Sequence, residues 1–453
     1  MNLPNYFLAD LPREATLSAS LVTEACRALK RNREHYLQNR SIHHLICVLS
    51  EVAQNWLQPD YPLRKSLLQL APASTGFQAA TLAAGLDAFF ARFTVENLQA
   101  LILQELGHLR RLEELTATEA ELKAGRASFV RGPELFVHIA SGTLPNPTLM
   151  SIVLGLLTRS AQFVKCATGG ALIPRLFAHS LYEAEPKLGA CLEIAEWKGG
   201  LQSVESALFA EADCVTATGT NETLAAIRQQ LPAQVRFIGY GHRVSFGYVA
   251  SEVLAGFQAR KIINRAAGDV VAWNQMGCLS PHVIYVENNG EMAPEQFAEM
   301  LAAELEATEQ TLPRGPVTVE EAAGIALRRS FYEIRAAHSS ETRLWSSAGS
   351  TAWTVVYEND PLFQMSCLNR FIYVKSISGL EQVLRSADAV RGQVSTVGLA
   401  ASEDRAQNLA NQLARWGVTR VCPLGQMQNP PLTWRHDGRP SLGDLVTWTD
   451  WEL

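Results

Sequence analysis

The alternation of apolar and polar residues divides the chain into a helical first part and a longer part in which strands and helices alternate. Residues 1–120 are predicted to be mostly helical. The clearest helical pattern covers residues 94–115, where Leu98, Ile102 and Leu106 recur every fourth residue along one face. The turn-rich segment at 123–133 predicts a break, which we interpret as a bridging hairpin over residues 121–133.

From residue 134 onwards, short apolar runs alternate with helical segments. Five runs predict strands, at 134–140, 161–167, 191–195, 213–216 and 235–240. The segments between them predict helices at 147–158, 173–184, 201–210 and 221–230. Strands separated by helices of this length are typical of a parallel, doubly wound sheet, so residues 134–241 are predicted to form one α/β domain. Its ligand is expected at the carboxyl ends of the strands.

Residues 242–430 show a second alternation and predict a second α/β domain. Strands are predicted at 281–287, 354–358, 370–375 and 394–400. Helices are predicted at 247–265, 294–310, 378–388 and 402–416. Residues 431–453 follow this domain as a C-terminal return segment.

Composition excludes several classes of protein. The chain has 453 residues, of which 47% are hydrophobic and 19% charged, and its net charge is −6 without a basic stripe, so no nucleic-acid partner is predicted. The longest apolar stretch, 149–157, falls well short of the ~18 residues of a membrane span, and no secretory signal precedes it. The eight cysteines form no CxxC pair, and the histidines show no metal-ligand spacing. We therefore expect a cytoplasmic protein without a metal site.

Loops at the predicted strand ends are rich in small, flexible and polar residues. They cover 141–146, 165–170, 197–200, 217–220 and 239–243. Such loops allow a nucleotide to approach the backbone closely. The alternative is that loops of this kind are rich in glycine in general, and the GxGxxG fingerprint of dinucleotide binding is absent.

Lys165 and Thr168 follow the second strand of this domain, where such sheets select the adenosine ribose of a cofactor. An acidic residue there would select a free 2′-hydroxyl group, but no carboxylate occurs between residues 161 and 181. A lysine suits a 2′-phosphate instead, so NADP(H) is favoured over NAD(H). The alternative for Lys165 is an ordinary solvated side chain.

Three residues are candidates for catalysis, each with an alternative role. Cys278 follows Gly277 in a polar-flanked loop and could act as a nucleophile beside a backbone N–H, although most cysteines only pack. Asn146 precedes Pro147 and is either the N-cap of the following helix or an amide donor to an oxyanion. His242 is either a proton donor or a structural histidine.

Five segments in this order resemble the aldehyde dehydrogenase superfamily. They are similar above all to its acyl-CoA reductase branch, the long-chain acyl-protein thioester reductases of bacterial bioluminescence. The segments are GTLPNP (142–147), FVKCATGG (163–170), ATGTNE (217–222), NQMGCLSP (274–281) and the tail at 420–450. The resemblance runs from residue 134 to the C-terminus and is loose over the first 120 residues.

The resemblance implies an aldehyde-dehydrogenase-like α/β fold. It consists of a Rossmann-type cofactor domain (134–241) with a helical N-terminal part (1–120), and a catalytic domain (242–430). The bridging hairpin and the C-terminal segment are expected to serve oligomerisation, with 123–133 and 445–453 as interface segments of a homo-oligomer.

The resemblance also implies roles for individual residues. Cys278 is the expected nucleophile, and Asn146 and the Cys278 N–H form the expected oxyanion hole. Lys165 and Thr168 would lie near the adenosine ribose and its 2′-phosphate, and Thr218–Thr220 along the diphosphate and the nicotinamide ribose. The full set predicted to bind NADPH is Lys165, Thr168, Gly169, Ser141, Gly142, Thr218, Gly219, Thr220, Tyr240 and Gly241.

One departure from the superfamily favours reduction over oxidation. Aldehyde-oxidising members carry a glutamate just after the fifth strand to activate the deacylating water, but residues 239–242 read Gly-Tyr-Gly-His. An acyl enzyme without that base is hydrolysed slowly and survives for hydride attack. The later glutamate-phenylalanine-glycine-proline motif, which positions the nicotinamide ribose, is also absent.

These observations predict NADPH-dependent reduction of fatty acyl thioesters to fatty aldehydes through an acyl-Cys278 intermediate, with His242 managing a proton. The expected donor is a fatty acyl-CoA or an acylated protein, and an acyl-protein synthetase or thioesterase is a possible partner. One alternative is an aldehyde dehydrogenase that oxidises aldehyde to acid. The other is a non-catalytic acyl-carrier subunit of a fatty acid reductase complex.

Overall fold

The computed structural model describes residues 3–12, 15, 17–140 and 144–452 of the chain. It divides into two compact units. The first comprises residues 1–75, 86–241 and 431–453, and the second comprises residues 76–85 and 242–430. Both units contain parallel sheets with helices, so the predicted α/β class is confirmed.

The helices and strands are numbered in chain order. The α-helices are α1 (Ala19–Asn32), α2 (Ile42–Leu57), α3 (Pro62–Thr75), α4 (Ala79–Phe90), α5 (Val95–Leu106), α6 (Glu119–Lys123), α7 (Asn146–Leu157), α8 (Leu172–Ala184), α9 (Pro186–Gly189), α10 (Gln202–Glu211), α11 (Asn221–Gln230), α12 (Gly256–Val271), α13 (Pro294–Thr311), α14 (Val319–His338), α15 (Leu380–Ser386) and α16 (Glu403–Trp416). The strands are β1 (Arg126–Arg131), β2 (Leu135–Ile139), β3 (Ala161–Cys166), β4 (Leu192–Glu196), β5 (Cys214–Thr218), β6 (Arg236–Tyr240), β7 (Val244–Val249), β8 (Pro281–Glu287), β9 (Thr342–Ser346), β10 (Thr354–Glu358), β11 (Phe371–Ile377), β12 (Val394–Ala400), β13 (Arg420–Pro423) and β14 (Thr447–Glu452).

A five-stranded parallel sheet forms the centre of the first unit. Its strand order is β4–β3–β2–β5–β6, so the first strand along the chain lies in the middle. All six residues of β3 are buried, as expected for a strand covered on both faces. The five strands and four helices predicted for residues 134–241 are present. Because the strands are parallel, their carboxyl ends lie along one edge of the sheet.

The helix predicted over residues 94–115 ends early. Gly107 adopts a left-handed conformation with φ 75°, and its N–H donates to the Leu103 carbonyl, which terminates α5 at Leu106. A glycine in this conformation is the usual residue at the end of a helix. The leucine spacing continues past Gly107, but the helix does not.

The segment predicted as a local hairpin has a distant partner. Residues 119–123 form the short helix α6, and β1 pairs antiparallel with β14, so that Arg126 lies opposite Glu452 and Arg131 opposite Thr447. This two-stranded sheet joins a segment in the first third of the chain to a segment near its C-terminal end. All six residues of β14 are exposed, Trp448 and Trp451 among them. The part that these strands play in an oligomer stays a prediction.

A seven-stranded sheet forms the centre of the second unit. Its order is β13–β12–β7–β8–β11–β10–β9, and β9 runs antiparallel at one edge. The helix predicted at 247–265 is wrong in its first part, because β7 occupies Val244–Val249 with all six residues buried. The structure also contains α14 and the strands β9 and β13, which the sequence pattern did not predict. No helix in the described part of the chain is long and apolar enough to cross a membrane.

A close contact in the second unit joins α4 to the segment before Cys278. The Trp273 ring lies against Gly85, where an added Cβ atom would come within 2.1 Å of Trp273 Cζ2. Phe77 packs edge-on against the same ring, with ring centroids 5.3 Å apart. Residues 76–85 therefore belong to the unit that carries Cys278, although the sequence assigned them to the helical part of the cofactor domain.

This contact predicts a specific effect of overpacking. Gly85→Ala is expected to destabilise the protein by about 1–3 kcal/mol, because the indole ring must move away from the new methyl group. Gly324→Ala is the matched control, since an added Cβ at this exposed position in α14 meets nothing within 4 Å. Urea unfolding of the two variants measures the difference, and equal stabilities would contradict the packing described.

Candidate active site

Cys278 lies on the loop that leads into β8 in the second unit. The structure describes all eight cysteines, and Cys278 is the exposed one. Burial raises the pKa of the Cys26, Cys166, Cys191 and Cys214 thiols to about 12, so these four are poor nucleophiles. Accessibility thus singles out the cysteine that the sequence motif indicated.

Hydrogen bonds hold both ends of the Cys278 loop. The Gln275 amide donates to the Pro281 carbonyl at 2.7 Å and to the Phe371 carbonyl at 2.9 Å. Ser245 Oγ donates to the Cys278 carbonyl at 2.7 Å. Gln428 Nε2 donates to Ser280 Oγ at 2.6 Å. The thiol therefore projects from a loop whose backbone is fixed on several sides.

His242 belongs to the same unit and is exposed. Burial lowers the pKa of His282 to about 4, and repulsion from His242 lowers it further. His282 lies on β8, the strand that follows Cys278, and its Nδ1 accepts the Ser366 N–H at 3.1 Å. His282 is therefore neutral at physiological pH. The sequence pattern did not indicate this buried histidine.

Asn146 belongs to the first unit and is the first residue of α7. The residue at the N-cap position is Pro145, and no side chain caps this helix. The Asn146 Oδ1 atom is buried and has no hydrogen-bond partner among the described residues. The N-cap interpretation of Asn146 is therefore wrong, and its amide is not used to hold the helix.

Lys165 and its neighbours lie at the carboxyl end of β3. The Lys165 side chain is buried rather than solvated, with Nζ 5.7 Å from the centre of the Trp197 ring. Burial lowers the pKa of its ammonium group, and the Glu205 carboxylate counteracts this. Thr168 and Gly169 follow in an exposed loop, where Gly169 adopts φ 81°.

Two carboxylates from the adjacent strand and helix reach this edge, and both lie outside residues 161–181, the segment in which the sequence contains no carboxylate. Glu196 accepts the N–H groups of Gly169 and Ala171, at 2.9 and 3.2 Å. Glu205 accepts the Gly200 N–H at 3.1 Å. Both carboxylates thus bind backbone N–H groups around the loops.

The next loops along the sheet carry the remaining predicted cofactor residues. Thr220 caps α11 by accepting the Thr223 N–H, and Gly219 donates its N–H to the Tyr240 carbonyl at 3.2 Å. An added Cβ at Gly241 would lie 2.4 Å from Asn221 Oδ1, so this position requires glycine unless Asn221 moves. Thr218 ends β5 at the same edge.

The Tyr240 ring is engaged by the C-terminal segment. It stacks on His436 with ring centroids 4.2 Å apart, and the Arg439 guanidinium lies 4.7 Å from its centre. The Tyr240 side chain therefore packs within the protein, and its backbone carbonyl accepts the Gly219 N–H. Ser141 and Gly142, also predicted to bind the cofactor, lie outside the described residues.

The two sheets define an aldehyde-dehydrogenase-like α/β protein, and solved structures support this. The chain superimposes on a NAD-dependent benzaldehyde dehydrogenase from Corynebacterium glutamicum with a TM-score of 0.69 and 13% identity, covering 97% of this chain and 90% of that one. It also superimposes on the bifunctional proline utilization A (PutA) protein with a TM-score of 0.71 and 17% identity. That match covers 96% of this chain and 45% of the bifunctional protein, so the chain spans less than half of its length.

Sequence comparisons identify the family. The family model "Acyl-CoA reductase (LuxC)" matches residues 37–448, and the chain belongs to this family. A long-chain acyl-protein thioester reductase from Photorhabdus laumondii is 23% identical over 433 residues, which covers 93% of this chain and 85% of the relative. The predicted resemblance and the predicted enzyme class, an oxidoreductase, are confirmed.

Proposed function

We propose that this protein reduces long-chain acyl thioesters to aldehydes with NADPH, through an acyl group carried on Cys278. The observation that carries the proposal is the exposed Cys278 thiol on a fixed loop, in a chain of the acyl-CoA reductase family. The donor is a fatty acyl-CoA or an acylated protein, as the names of the family and of its relatives suggest. We expect the reaction in the cytoplasm.

The residues act in a definite order in this proposal. The Cys278 thiolate adds to the thioester carbonyl, and the Asn146 amide with the Cys278 N–H stabilises the resulting oxyanion. Collapse of this intermediate expels the donor's thiolate, which takes up a proton, and leaves the acyl group on Cys278. Hydride addition at the acyl carbon then gives a thiohemiacetal, whose collapse releases aldehyde and restores the thiolate. His242 is the group we assign to the proton transfers.

The first unit has residues that fit a nicotinamide cofactor, which would supply the hydride. Lys165 offers a cation at the end of β3, beside the exposed Thr168 and Gly169. The loop Thr218–Thr220 would lie along the diphosphate, close to the N-terminus of α11, where backbone N–H groups favour an anion. A cation at Lys165 favours the 2′-phosphate of NADPH.

Replacing Lys165 tests this cofactor preference. Lys165→Met is expected to lower the preference for NADPH over NADH, measured as the ratio of kcat/KM values, by about 10- to 100-fold, because a charge-assisted hydrogen bond to the 2′-phosphate is lost. Lys187→Met, at an exposed position in α9, is the control. An unchanged ratio in Lys165→Met would remove the basis for the NADPH assignment.

Crowding at Gly239 supports reduction over oxidation. An added Cβ there would lie 3.1 Å from Phe237 and 3.2 Å from Leu224, which leaves little room for a larger side chain. A carboxylate that activates the deacylating water is thus disfavoured at this position, and the acyl group on Cys278 persists.

The direction of the reaction is tested with an aldehyde and NADP⁺, with and without added CoA. A thioester reductase running in reverse forms NADPH continuously only when a thiol is present to accept the acyl group. Without a thiol it stops at the acyl enzyme, after one equivalent of NADPH per Cys278. Continuous NADPH formation over many turnovers without any thiol would establish an aldehyde dehydrogenase that releases the acid, and would refute the proposed reductase.

A further inference from the structure

Two short segments of the second unit share an unusual backbone conformation. Trp273, Asn274 and Gln275 have φ values of 51°, 51° and 65°, and Leu368, Asn369 and Arg370 have values of 59°, 56° and 64°. These two runs account for six of the eight described non-glycine residues with positive φ. Asparagine tolerates this conformation, but for the other residue types it costs free energy and persists where the surroundings impose it.

The two left-handed runs bind each other. Arg370 donates from Nε and Nη2 to the Asn274 Oδ1 atom, at 3.2 and 2.9 Å. Gln275 also donates to the carbonyl of Phe371, the residue after Arg370, at 2.9 Å. Both Arg370 and Asn274 are buried, with exposures of 0% and 4%. Each run thus supplies the contacts that hold the other in its strained conformation.

The remaining polar atoms of this pair are also satisfied by fixed partners. Arg370 Nη1 donates to Glu309 Oε2 at 2.8 Å and to the Leu312 carbonyl at 2.9 Å. Asn274 Nδ2 donates to the Arg314 carbonyl at 2.8 Å. A buried guanidinium is stable when it is paired and hydrogen-bonded in this way, so the position of Asn274 is tightly defined.

The pair acts on the loop that carries Cys278. Gln275 follows Asn274 directly, and its bond to the Pro281 carbonyl closes the loop from 275 to 281. Cys278 is in the middle of this closed loop, and neither Arg370 nor Asn274 is on it. A change at Arg370 therefore alters the loop through its base and leaves the thiol itself intact.

We propose that Arg370 and Asn274 are positioning residues, which fix the base of the Cys278 loop so that the thiolate meets the acyl carbonyl in the productive geometry. The inference rests on the proposed function of Cys278. Misplacing a reacting group by about 1 Å can slow a reaction by about 100-fold, which sets the size of the expected effect.

Arg370→Lys tests the inference, because lysine keeps the charge but cannot make the two-pronged contact with Asn274. Arg329→Lys is the matched control. Arg329 is 9% exposed and donates to Thr354, Ser347, Ser350 and Trp353, none of which belongs to the loop from 275 to 281. Both variants are expected to lower the unfolding temperature, but Arg370→Lys alone should slow acylation of Cys278, by about 100-fold.

Three further readouts separate positioning from general destabilisation. The pH midpoint for alkylation of Cys278 by iodoacetamide should not move in Arg370→Lys, because geometry and not thiol acidity changes. In Asn274→Gly the glycine adopts positive φ without strain, but the Oδ1 acceptor for Arg370 is lost. This variant should therefore fold and still be acylated slowly. Asn274→Asp keeps an acceptor oxygen for Arg370, so Cys278 should be acylated faster in this variant than in Asn274→Gly.

The outcomes distinguish the two proposals. If the wild-type protein is acylated on Cys278 and Arg370→Lys and Asn274→Gly are acylated equally fast, the positioning role is overturned and the proposed function stands. Equal slowing in Arg329→Lys would also overturn it. A wild-type protein that takes up no acyl group on Cys278 would overturn the proposed function, and with it the role assigned to this pair.

Discussion

Cys278→Ala is expected to take up no acyl group and to oxidise no NADPH with any acyl thioester. The thiolate is the atom that becomes bonded to the substrate in our account, and alanine offers no replacement. Four other thiols are buried with pKa values raised to about 12, so they cannot substitute for it. Mass spectrometry of the intact protein after incubation with a long-chain acyl-CoA, without NADPH, measures the adduct directly.

The control for this experiment is a second cysteine that superficially resembles a nucleophile. Cys47 is partly exposed on α2, and its sulfur lies 3.6 Å from the His43 Nε2 atom. Cys47→Ala is expected to acylate and turn over like the wild-type protein. An acyl adduct on Cys278→Ala, or its loss in Cys47→Ala, would place the nucleophile elsewhere.

Asn146→Ala is expected to slow turnover by about 100- to 1,000-fold, the usual effect of removing one oxyanion donor, worth about 2.7–4 kcal/mol. The free energy of unfolding should change little, because the Asn146 side chain does not cap α7. Asn146→Asp should be at least as slow, since it replaces a donor by a negative charge.

Pre-steady-state acylation and the unfolding temperature are the measurements for Asn146. Slow acylation in a variant as stable as the wild-type protein fits an oxyanion donor. Acylation at the wild-type rate would remove Asn146 from the mechanism, and a large loss of stability would point to a structural role.

The strands of the first unit could be predicted from the sequence because each is a compact apolar run followed by a clear helical pattern. β7 was missed for a physical reason: the strand VSFGYV is buried on both faces, so it shows no alternation, and it was assigned to the helix that follows. The sequence around β1 predicts a local hairpin, but its partner, β14, lies at the far end of the chain, where no local pattern indicates it.

The residues of the candidate site could be predicted where they belong to short sequence motifs. Cys278, Asn146 and Lys165 all stand in such segments, and the structure adds what surrounds them. The contact between Arg370 and Asn274 joins residues 96 positions apart and depends on positive φ at non-glycine residues, which no local pattern reveals. Glu196 was missed similarly, because it reaches the Gly169 loop from the neighbouring strand.

The proposed function is tested by measuring NADPH oxidation by the purified protein with acyl-CoA thioesters from acetyl to stearoyl, and with an acylated protein as donor, while aldehyde is trapped and quantified. We expect NADPH to be consumed and aldehyde to appear in equal amounts, with long-chain donors preferred and with no reaction in Cys278→Ala. A wild-type protein that becomes acylated on Cys278 but never oxidises NADPH would contradict the proposed reductase and favour the non-catalytic acyl carrier.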